Sequence, residues 1–342
     1  MIVAGGFLYK CKKLKNLMKK TVYTFVYIMK RIYSMWEEAP MFGLYFDDYE
    51  TPVFRPPSEA NSFILRVTRG CAHNTCTFCA MYKDVQFALC PDEEISRQIA
   101  LAARYAQDQV KRIFLADGDA LVLPTSKLLK ILEVLYRTFP HLQRVTSYAG
   151  PRDILRKSDA EMEQLREAGL KMLYFGLETG DNALLARIKK GVTAEEAIAA
   201  GQKVVRSGMK LSMMVIAGLG GKADSERHAV ETGKAVTAIQ PNMLSVLTLR
   251  LYKGTEMLRQ FEKGEFELLS PAGLAQEAHT MLENVEIRPE NHTLFRSNHI
   301  SNYVALAGTL PQDKERLLRE LEVSIGKLSK LTDWEVYTNM EY

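Results

Sequence analysis

The chain has 342 residues, and its 47% hydrophobic and 25% charged content is ordinary for a globular protein, which excludes a disordered or fibrous one. Five cysteines, three of them clustered, do not resemble a disulfide framework and instead predict a reducing, cytoplasmic location. The net charge of +4 arises from residues 1–36, which hold eight Lys or Arg and no Asp or Glu; the remainder carries 37 basic against 41 acidic residues, so we expect no nucleic-acid partner.

Residues 1–49 are interpreted as a basic N-terminal extension and lead-in. The apolar run Val22–Met29 is too short to span a bilayer, and basic residues rather than a small-residue cleavage site follow it, so neither a membrane span nor a signal peptide is predicted. Three interpretations stay open: a basic amphipathic helix on a membrane surface, a helix packed on the body, or an upstream extension of the reading frame with Met35 or Met41 as the start.

Residues 50–258 are predicted to form the core domain. From residue 63 to about 250, strand-like and helix-like segments alternate, a pattern that predicts an α/β fold with a parallel sheet. Capping boxes begin two of the helices, at Ser158-x-x-Glu161 and Thr193-x-x-Glu196. In parallel βα repeats the active site lies where the strands end. The six predicted strands are Phe63–Thr68, Arg112–Ala116, Arg144–Tyr148, Lys171–Leu177, Lys210–Ala217 and Leu244–Arg250.

Three cysteines follow the first predicted strand directly, with the spacing C-x4-C-x2-C: Cys71, Cys76 and Cys79. Three thiolates hold an iron–sulfur cluster in which one iron has no protein ligand, and a small molecule can bind that iron. The alternative is a structural Cys3His zinc site that uses His73, which lies between two of the cysteines.

The cysteine segment, with the aromatic Phe78 just before the last cysteine, resembles the cluster loop of the radical S-adenosylmethionine (radical SAM) superfamily, whose commonest spacing has one residue fewer in the first gap. The resemblance implies a partial (β/α)6 TIM-type barrel and a [4Fe–4S] cluster whose fourth iron is chelated by SAM. It also implies that one electron from the reduced cluster cleaves SAM to methionine and a 5′-deoxyadenosyl radical, which abstracts hydrogen from a substrate.

Downstream segments extend the resemblance over residues 60–258, in particular to the subgroup that contains methylthiotransferases and oxygen-independent coproporphyrinogen oxidases. The run Tyr174–Gly180 resembles the fourth strand of that subgroup, and Val215–Gly221 resembles its glycine motif near the adenine. Each segment alone also fits a structural role, as a tight turn, a helix cap or an ion pair. The cofactor contacts implied by the resemblance and the strand ends are Asp117, Gly118, Asp119, Ser147, Glu178, Gly218, Gly220 and Tyr82.

Residues 259–342 are predicted to form a C-terminal segment that closes the barrel, with helices near Pro271–Leu282 and Asp313–Leu331. The polar run Asn291–Tyr303 between them is predicted to be a loop, either folded over the pocket or a solvated linker. The candidate pocket residues are Arg296, Asn298 and His299. Of these, His299 is suited to proton transfer near neutral pH.

These patterns predict a radical SAM enzyme that acts on a small-molecule substrate and receives electrons from a donor such as flavodoxin or ferredoxin. The absence of a further cysteine group argues against a methylthiotransferase. Two alternatives remain: a radical SAM enzyme that modifies a tRNA base, and a non-enzymatic zinc- or iron–sulfur-binding protein. The substrate, the product and the fate of SAM are not specified by the sequence.

Overall fold

The computed structural model describes residues 53–331, all of which belong to the compact unit Phe46–Tyr342. The basic N-terminal extension, including both candidate start residues, lies outside the described residues. No helix within the described range combines the length and the hydropathy that a membrane crossing requires.

An eight-stranded sheet forms the centre of the fold, with the strand order β1-β4-β5-β6-β7-β8-β9-β10. Every neighbouring pair from β1 to β9 is parallel, and β10 is antiparallel to β9. A separate two-stranded antiparallel sheet joins β2 to β3. The strands are β1 Phe63–Arg66, β2 Thr68–Arg69, β3 Ala88–Leu89, β4 Arg112–Ala116, β5 Arg144–Tyr148, β6 Leu170–Glu178, β7 Lys210–Ala217, β8 Met243–Thr248, β9 Thr293–Arg296 and β10 Ala307–Leu310.

Helices connect the parallel strands, and the predicted capping boxes are present at the start of α4 and α6. Thr193 accepts a hydrogen bond from the backbone of Glu196, and the Glu196 side chain accepts one from the backbone of Thr193. The helices are α1 Asp92–Ala106, α2 Thr125–Thr138, α3 Pro151–Arg156, α4 Asp159–Glu167, α5 Asn182–Arg187, α6 Ala194–Arg206, α7 Gly221–Ile239, α8 Glu256–Glu262, α9 Pro271–Glu283 and α10 Lys314–Leu328.

The sheet confirms the predicted α/β fold, a partial TIM-type barrel. The prediction of a loop over Asn291–Tyr303 is wrong for four of its residues, which form the strand β9. β9 extends the sheet beside β8 as a seventh parallel strand. Thr293 and Phe295 of β9 are buried, whereas Leu294 and Arg296 point to the more accessible side. This alternation is typical of a strand, but four residues within a polar run are too few to reveal it in the sequence.

A buried carboxylate fastens the lead-in segment to the sheet. Glu59 is fully buried, and its Oε1 accepts hydrogen bonds from Tyr174 Oη (2.6 Å) and from the Arg144 guanidinium (3.0 Å). Ser62 donates to the other carboxylate oxygen. Tyr174 also packs edge-on against Phe114 with ring centroids 5.9 Å apart, so the lead-in is tied to the aromatic core between β4, β5 and β6.

Replacing Glu59 by Gln should lower the free energy of unfolding by about 1–3 kcal/mol, because the change removes charge-assisted bonds from a buried group. Urea unfolding followed by circular dichroism measures this difference. The control is Glu133→Gln, since Glu133 lies exposed on α2 and forms only a 3.8 Å surface ion pair with Arg137. Equal unfolding midpoints for the two variants would show that the Glu59 network does not stabilise the fold.

Candidate active site

The three clustered cysteines lie on a loop that starts after β2 and crosses the carboxyl end of the sheet. Cys71, Cys76 and Cys79 are all half-buried, and none forms a disulfide. Within this loop, the Thr77 N–H donates to the Ile188 carbonyl (3.0 Å), and the Met257 N–H donates to the Thr77 carbonyl (3.0 Å). The loop is therefore held between the first strand of the sheet and the helices that follow β6 and β8.

Asp117 supports the base of this cysteine loop. Its Oδ2 accepts the Gly70 N–H at 3.1 Å, and the Arg66 guanidinium lies 3.4 Å from the same oxygen. The Gly118 N–H in turn donates to the Gly70 carbonyl at 3.1 Å. Burial raises the pKa of Asp117 to about 6, against the opposing effects of Arg66 and the Gly70 N–H. One carboxylate oxygen of Asp117 therefore holds the loop in place. A contact between Asp117 and a cofactor stays a prediction.

Gly118 and Tyr82 pack directly against the first cysteine. A Cβ at Gly118 would lie 3.0 Å from Cys71 Cβ and 3.1 Å from Tyr82 Cε2, so any side chain at this position would displace the loop. Tyr82 is almost fully buried, and burial raises its pKa. Its hydroxyl has no hydrogen-bond partner within residues 53–331. The ring thus walls the space beside Cys71 and leaves one polar atom unsatisfied there.

The side chains of Asp119 and Ser147 are already engaged with neighbouring backbone. Asp119 accepts the Leu121 N–H (3.0 Å) and the Gly150 N–H (2.8 Å), and burial together with the adjacent Asp153 carboxyl raises its pKa. Ser147 Oγ donates to the Tyr148 carbonyl at 2.7 Å. Both residues lie at strand ends, as predicted, but these bonds also fit a purely structural role.

Glu178 ends β6 in a strained geometry that aims its carboxylate at Lys190. Its φ of 64° is in the left-handed region, and the pairing of β6 with β7 shifts register between Gly176 and Glu178. Its Oε1 lies 2.8 Å from Lys190 Nζ, and both side chains are largely buried. A Cβ at Gly176 would lie 2.0 Å from Glu178 Oε1, so a side chain there would force the carboxylate to move. Irregular strand ends of this kind redirect side chains at functional sites.

Lys190 brings a positive charge next to the thiols and was given no role by the sequence. Burial lowers the pKa of Lys190, but Glu178, Cys76 and Cys71 outweigh that effect and hold the pKa above its usual value. In the other direction, burial raises the pKa of Cys76, and Lys190 opposes that rise. The only signal in the sequence was the basic pair in the run Ile188–Gly191, which did not reveal which lysine is buried.

The contact made by His73 argues against the alternative of a Cys3His zinc site. His73 Nε2 lies 2.7 Å from the Lys189 carbonyl oxygen, so this nitrogen contacts the backbone and does not serve as a fourth ligand beside the thiols. Burial raises the pKa of Cys79 to about 11, partly offset by the Met81 N–H. Ligation to iron would supply the positive charge that such buried thiolates need.

The glycine motif after β7 is held by a carboxylate from the C-terminal helix α9. The Gly218 N–H donates to Glu277 Oε1 (2.6 Å), and Ser225 Oγ donates to Glu277 Oε2 (2.5 Å). Gly218 has a φ of 81°, which favours glycine. Gly220 precedes α7 as its N-terminal cap residue. The sequence did not identify Glu277, because it lies 59 residues from Gly218.

A buried histidine joins this motif to the end of β6. His228 Nδ1 lies 2.7 Å from Thr179 Oγ1, and His228 Nε2 lies 3.7 Å from Glu277 Oε1. Burial raises the pKa of Glu277, and His228 opposes the rise. The two strand ends that carry Glu178 and Gly218 therefore share one buried polar network.

The C-terminal candidates Arg296 and His299 lie near the end of β9. Arg296 donates to the carbonyls of Phe295 (2.8 Å) and Gly308 (3.3 Å), which joins β9 to β10. His299 Nδ1 lies 2.8 Å from Ser301 Oγ, and its pKa is lowered by burial and by Arg250. These bonds order the turn after β9, and a role of either residue in a pocket stays a prediction.

Comparison with known proteins assigns the family. The family model described as "Radical SAM superfamily" matches residues 65–232, from β1 into α7. The chain is 24% identical over 111 residues to the tRNA uridine(34) acetyltransferase of Methanocaldococcus infernus, covering 32% of this chain and 21% of that protein. It is 24% identical over 175 residues to YtqA of Bacillus subtilis, an uncharacterized protein, covering 51% of this chain and 47% of YtqA.

The fold is similar to that of the cobalamin-dependent SAM radical enzyme OxsB with aqua-cobalamin bound. The TM-score is 0.51 at 15% identity, covering 78% of this chain and 46% of OxsB. The chain spans less than half the length of these relatives. These matches do not test the predicted subgroup, which stays a prediction. At the level of the superfamily the assignment is clear: the chain belongs to the radical SAM superfamily, as an enzyme whose cofactors are a [4Fe–4S] cluster and SAM.

Proposed function

We propose that this enzyme couples the reductive cleavage of SAM to hydrogen abstraction from a small-molecule substrate. The observation that carries the proposal is the position of three half-buried thiols beside the buried Glu178–Lys190 pair, at the carboxyl ends of parallel strands. When bound, the reduced cluster supplies the electron that cleaves SAM. The protein positions both cofactors and excludes water.

Glu178 and Lys190 match the charges of an amino acid. SAM carries an ammonium and a carboxylate on its methionine part, and the pair offers one carboxylate and one ammonium within 2.8 Å of each other. Because both side chains are largely buried, each ionic contact to SAM would be stronger than at an exposed surface. We assign Lys190 to the carboxylate of SAM and Glu178 to its ammonium group.

Glycines and one aromatic ring shape the rest of the proposed SAM site. Gly118 lets the turn after β4 pack closely against Cys71, and Tyr82 walls the space beside this cysteine with a buried ring. Gly218 and Gly220 allow the backbone to approach a nucleoside closely. In this proposal Asp117 and Asp119 contribute mainly by holding the cysteine loop and the turn after β4.

A second candidate, modification of a tRNA base, is favoured by one observation. Two archaeal relatives, both tRNA uridine(34) acetyltransferases, match about a third of this chain. Outside residues 1–36, however, acidic residues outnumber basic ones, 41 against 37, which disfavours binding to a polyanion. Stimulation of SAM cleavage by tRNA, but not by pooled small metabolites, would favour the tRNA candidate.

The first prediction from the proposed function concerns the cysteines. After anaerobic reconstitution with iron and sulfide, the protein should hold about four irons and, once reduced by dithionite, convert SAM to 5′-deoxyadenosine. Replacing Cys71, Cys76 or Cys79 by Ala should abolish both properties, as measured by iron assay and chromatography. Cys90→Ala is the control, because Cys90 is buried outside the three-cysteine motif and its N–H donates to the Val67 carbonyl. Reconstituted four-iron protein that yields no 5′-deoxyadenosine would refute the proposed function.

A second prediction concerns Lys190. Lys190→Met should raise the KM for SAM by roughly tenfold or more, equal to about 1.4 kcal/mol or more, without loss of iron. Lys189→Met is the matched control, since the adjacent Lys189 is exposed and pairs with Glu256. Dithionite-driven SAM cleavage gives the kinetic values. Loss of iron in place of the KM effect would mean that Lys190 supports the cluster and not SAM.

A third prediction concerns the support of the glycine motif. Glu277→Ala leaves the buried Gly218 N–H without its acceptor and removes the carboxylate that lies 3.7 Å from His228. The KM for SAM should therefore rise roughly tenfold while iron content stays constant. Glu283→Gln, on the exposed side of the same helix, should change neither value. A loss of thermal stability with an unchanged KM would limit Glu277 to a structural role.

A further inference from the structure

The arc between Cys71 and Cys76 is the most accessible part of the cysteine loop. Ala72 and Thr75 are exposed, whereas His73 and Asn74 are half-buried. The exposed Ala72 follows Cys71, and the exposed Thr75 precedes Cys76. An external electron donor that contacts either residue is therefore one residue away from a cysteine.

A basic groove lies against this arc. The cavity measures about 440 Å³, and its charged lining residues are Arg152, Arg156, Lys189 and Asp153. Asp153 is paired with Arg156 at 3.0 Å, and Lys189 is paired with Glu256 at 2.6 Å. Arg152 is exposed and has no acidic partner among the described residues. The groove therefore carries an excess positive charge.

Gly191 lets the parts of the groove approach each other. A Cβ at this position would lie 2.6 Å from His73 Cε1 and 3.0 Å from a guanidinium nitrogen of Arg152. Lys83 adds a positive charge at the arc itself, because its Nζ donates to the Asn74 carbonyl at 2.8 Å.

We propose that this groove, centred on Arg152, is the docking surface for a small acidic electron-transfer protein that reduces the cluster. The inference rests on the proposed function, in which each reductive cleavage of SAM consumes one electron. In the docked complex one electron passes to the cluster, so the donor is oxidised by one electron and the cluster is reduced by one. Complementary charge at such a surface raises the rate of encounter and fixes orientation.

The charge pattern favours a protein over a nucleic acid. A nucleic-acid surface neutralises several consecutive phosphates, commonly about six to ten. Among the cations that line the groove, one is unpaired, and two others are partly neutralised by Asp153 and Glu256. A compact acidic protein needs only a small basic patch centred on the point of electron transfer.

The test compares two reductants on the reconstituted holoenzyme. Arg152→Glu reverses the unpaired charge, and Lys210→Glu is the control, because Lys210 is exposed at the amino end of β7, away from the strand ends that carry the cysteine loop. SAM cleavage is measured with reduced flavodoxin and with dithionite. The affinity of oxidised flavodoxin for each holoenzyme is measured by biolayer interferometry.

We expect Arg152→Glu to lower the flavodoxin-driven rate and the flavodoxin affinity by roughly tenfold or more at low salt, with a smaller effect for Arg152→Gln. The dithionite-driven rate should stay at the wild-type value. The difference should shrink at about 0.5 M salt, where screening shortens the range of the charges. Lys210→Glu should match the wild type in every assay.

Three outcomes would overturn the inference. Unchanged flavodoxin affinity in Arg152→Glu would show that the donor docks elsewhere, and an equal loss with dithionite would place Arg152 in the handling of SAM or the cluster. If Arg152→Glu weakens binding of tRNA and not of flavodoxin, the groove is a nucleic-acid surface. Wild-type protein that fails to cleave SAM with dithionite contradicts the proposed function instead, so the two failures are distinguishable.

Discussion

The geometry of the site depends on a buried carboxylate that ties the cysteine loop to the neighbouring strand. Asp117, at the end of β4, accepts the Gly70 N–H, and the Gly118 N–H returns a bond to the Gly70 carbonyl. The residue after Gly70 is Cys71, so the start of the loop is fixed relative to the sheet. Arg66 lies 3.4 Å from Asp117 and compensates part of the cost of burying the charge. A loop positioned in this way presents its thiols at the carboxyl end of the sheet.

Charge balance links the thiols to the rest of the site. Burial alone disfavours thiolates, since it raises the pKa of Cys76 and of Cys79. Lys190 acts against this beside Cys76, and Glu178 in turn keeps Lys190 charged. The strained end of β6 is what aims Glu178 at this lysine. The backbone irregularity and the electrostatics of the thiols are therefore two parts of one arrangement.

Local patterns in the sequence were sufficient for the cysteine loop, the six core strands and the capping boxes, because each depends on residues close together in the chain. The reciprocal bonds of Thr193 and Glu196 are an example. The Glu277–Gly218 bond was not predictable, since it depends on how α9 packs against the end of β7. Lys190 was visible in the sequence, but its burial beside Cys76 is a property of the folded chain. Short β9 was missed because its alternation covers only four residues.

The segments that flank the matched residues 65–232 complete the barrel. On one side, Glu59 joins the lead-in to Tyr174 and Arg144 of the parallel strands. On the other, Glu277 holds the glycine motif and contacts His228, which reaches Thr179 beside Glu178. A domain boundary near residue 258 would place Gly218 and its supporting carboxylate in different domains. Because Glu277 is buried against the motif that it supports, α9 and the parallel strands are better regarded as one structural unit in which the C-terminal segment helps to set the geometry of the glycine motif after β7.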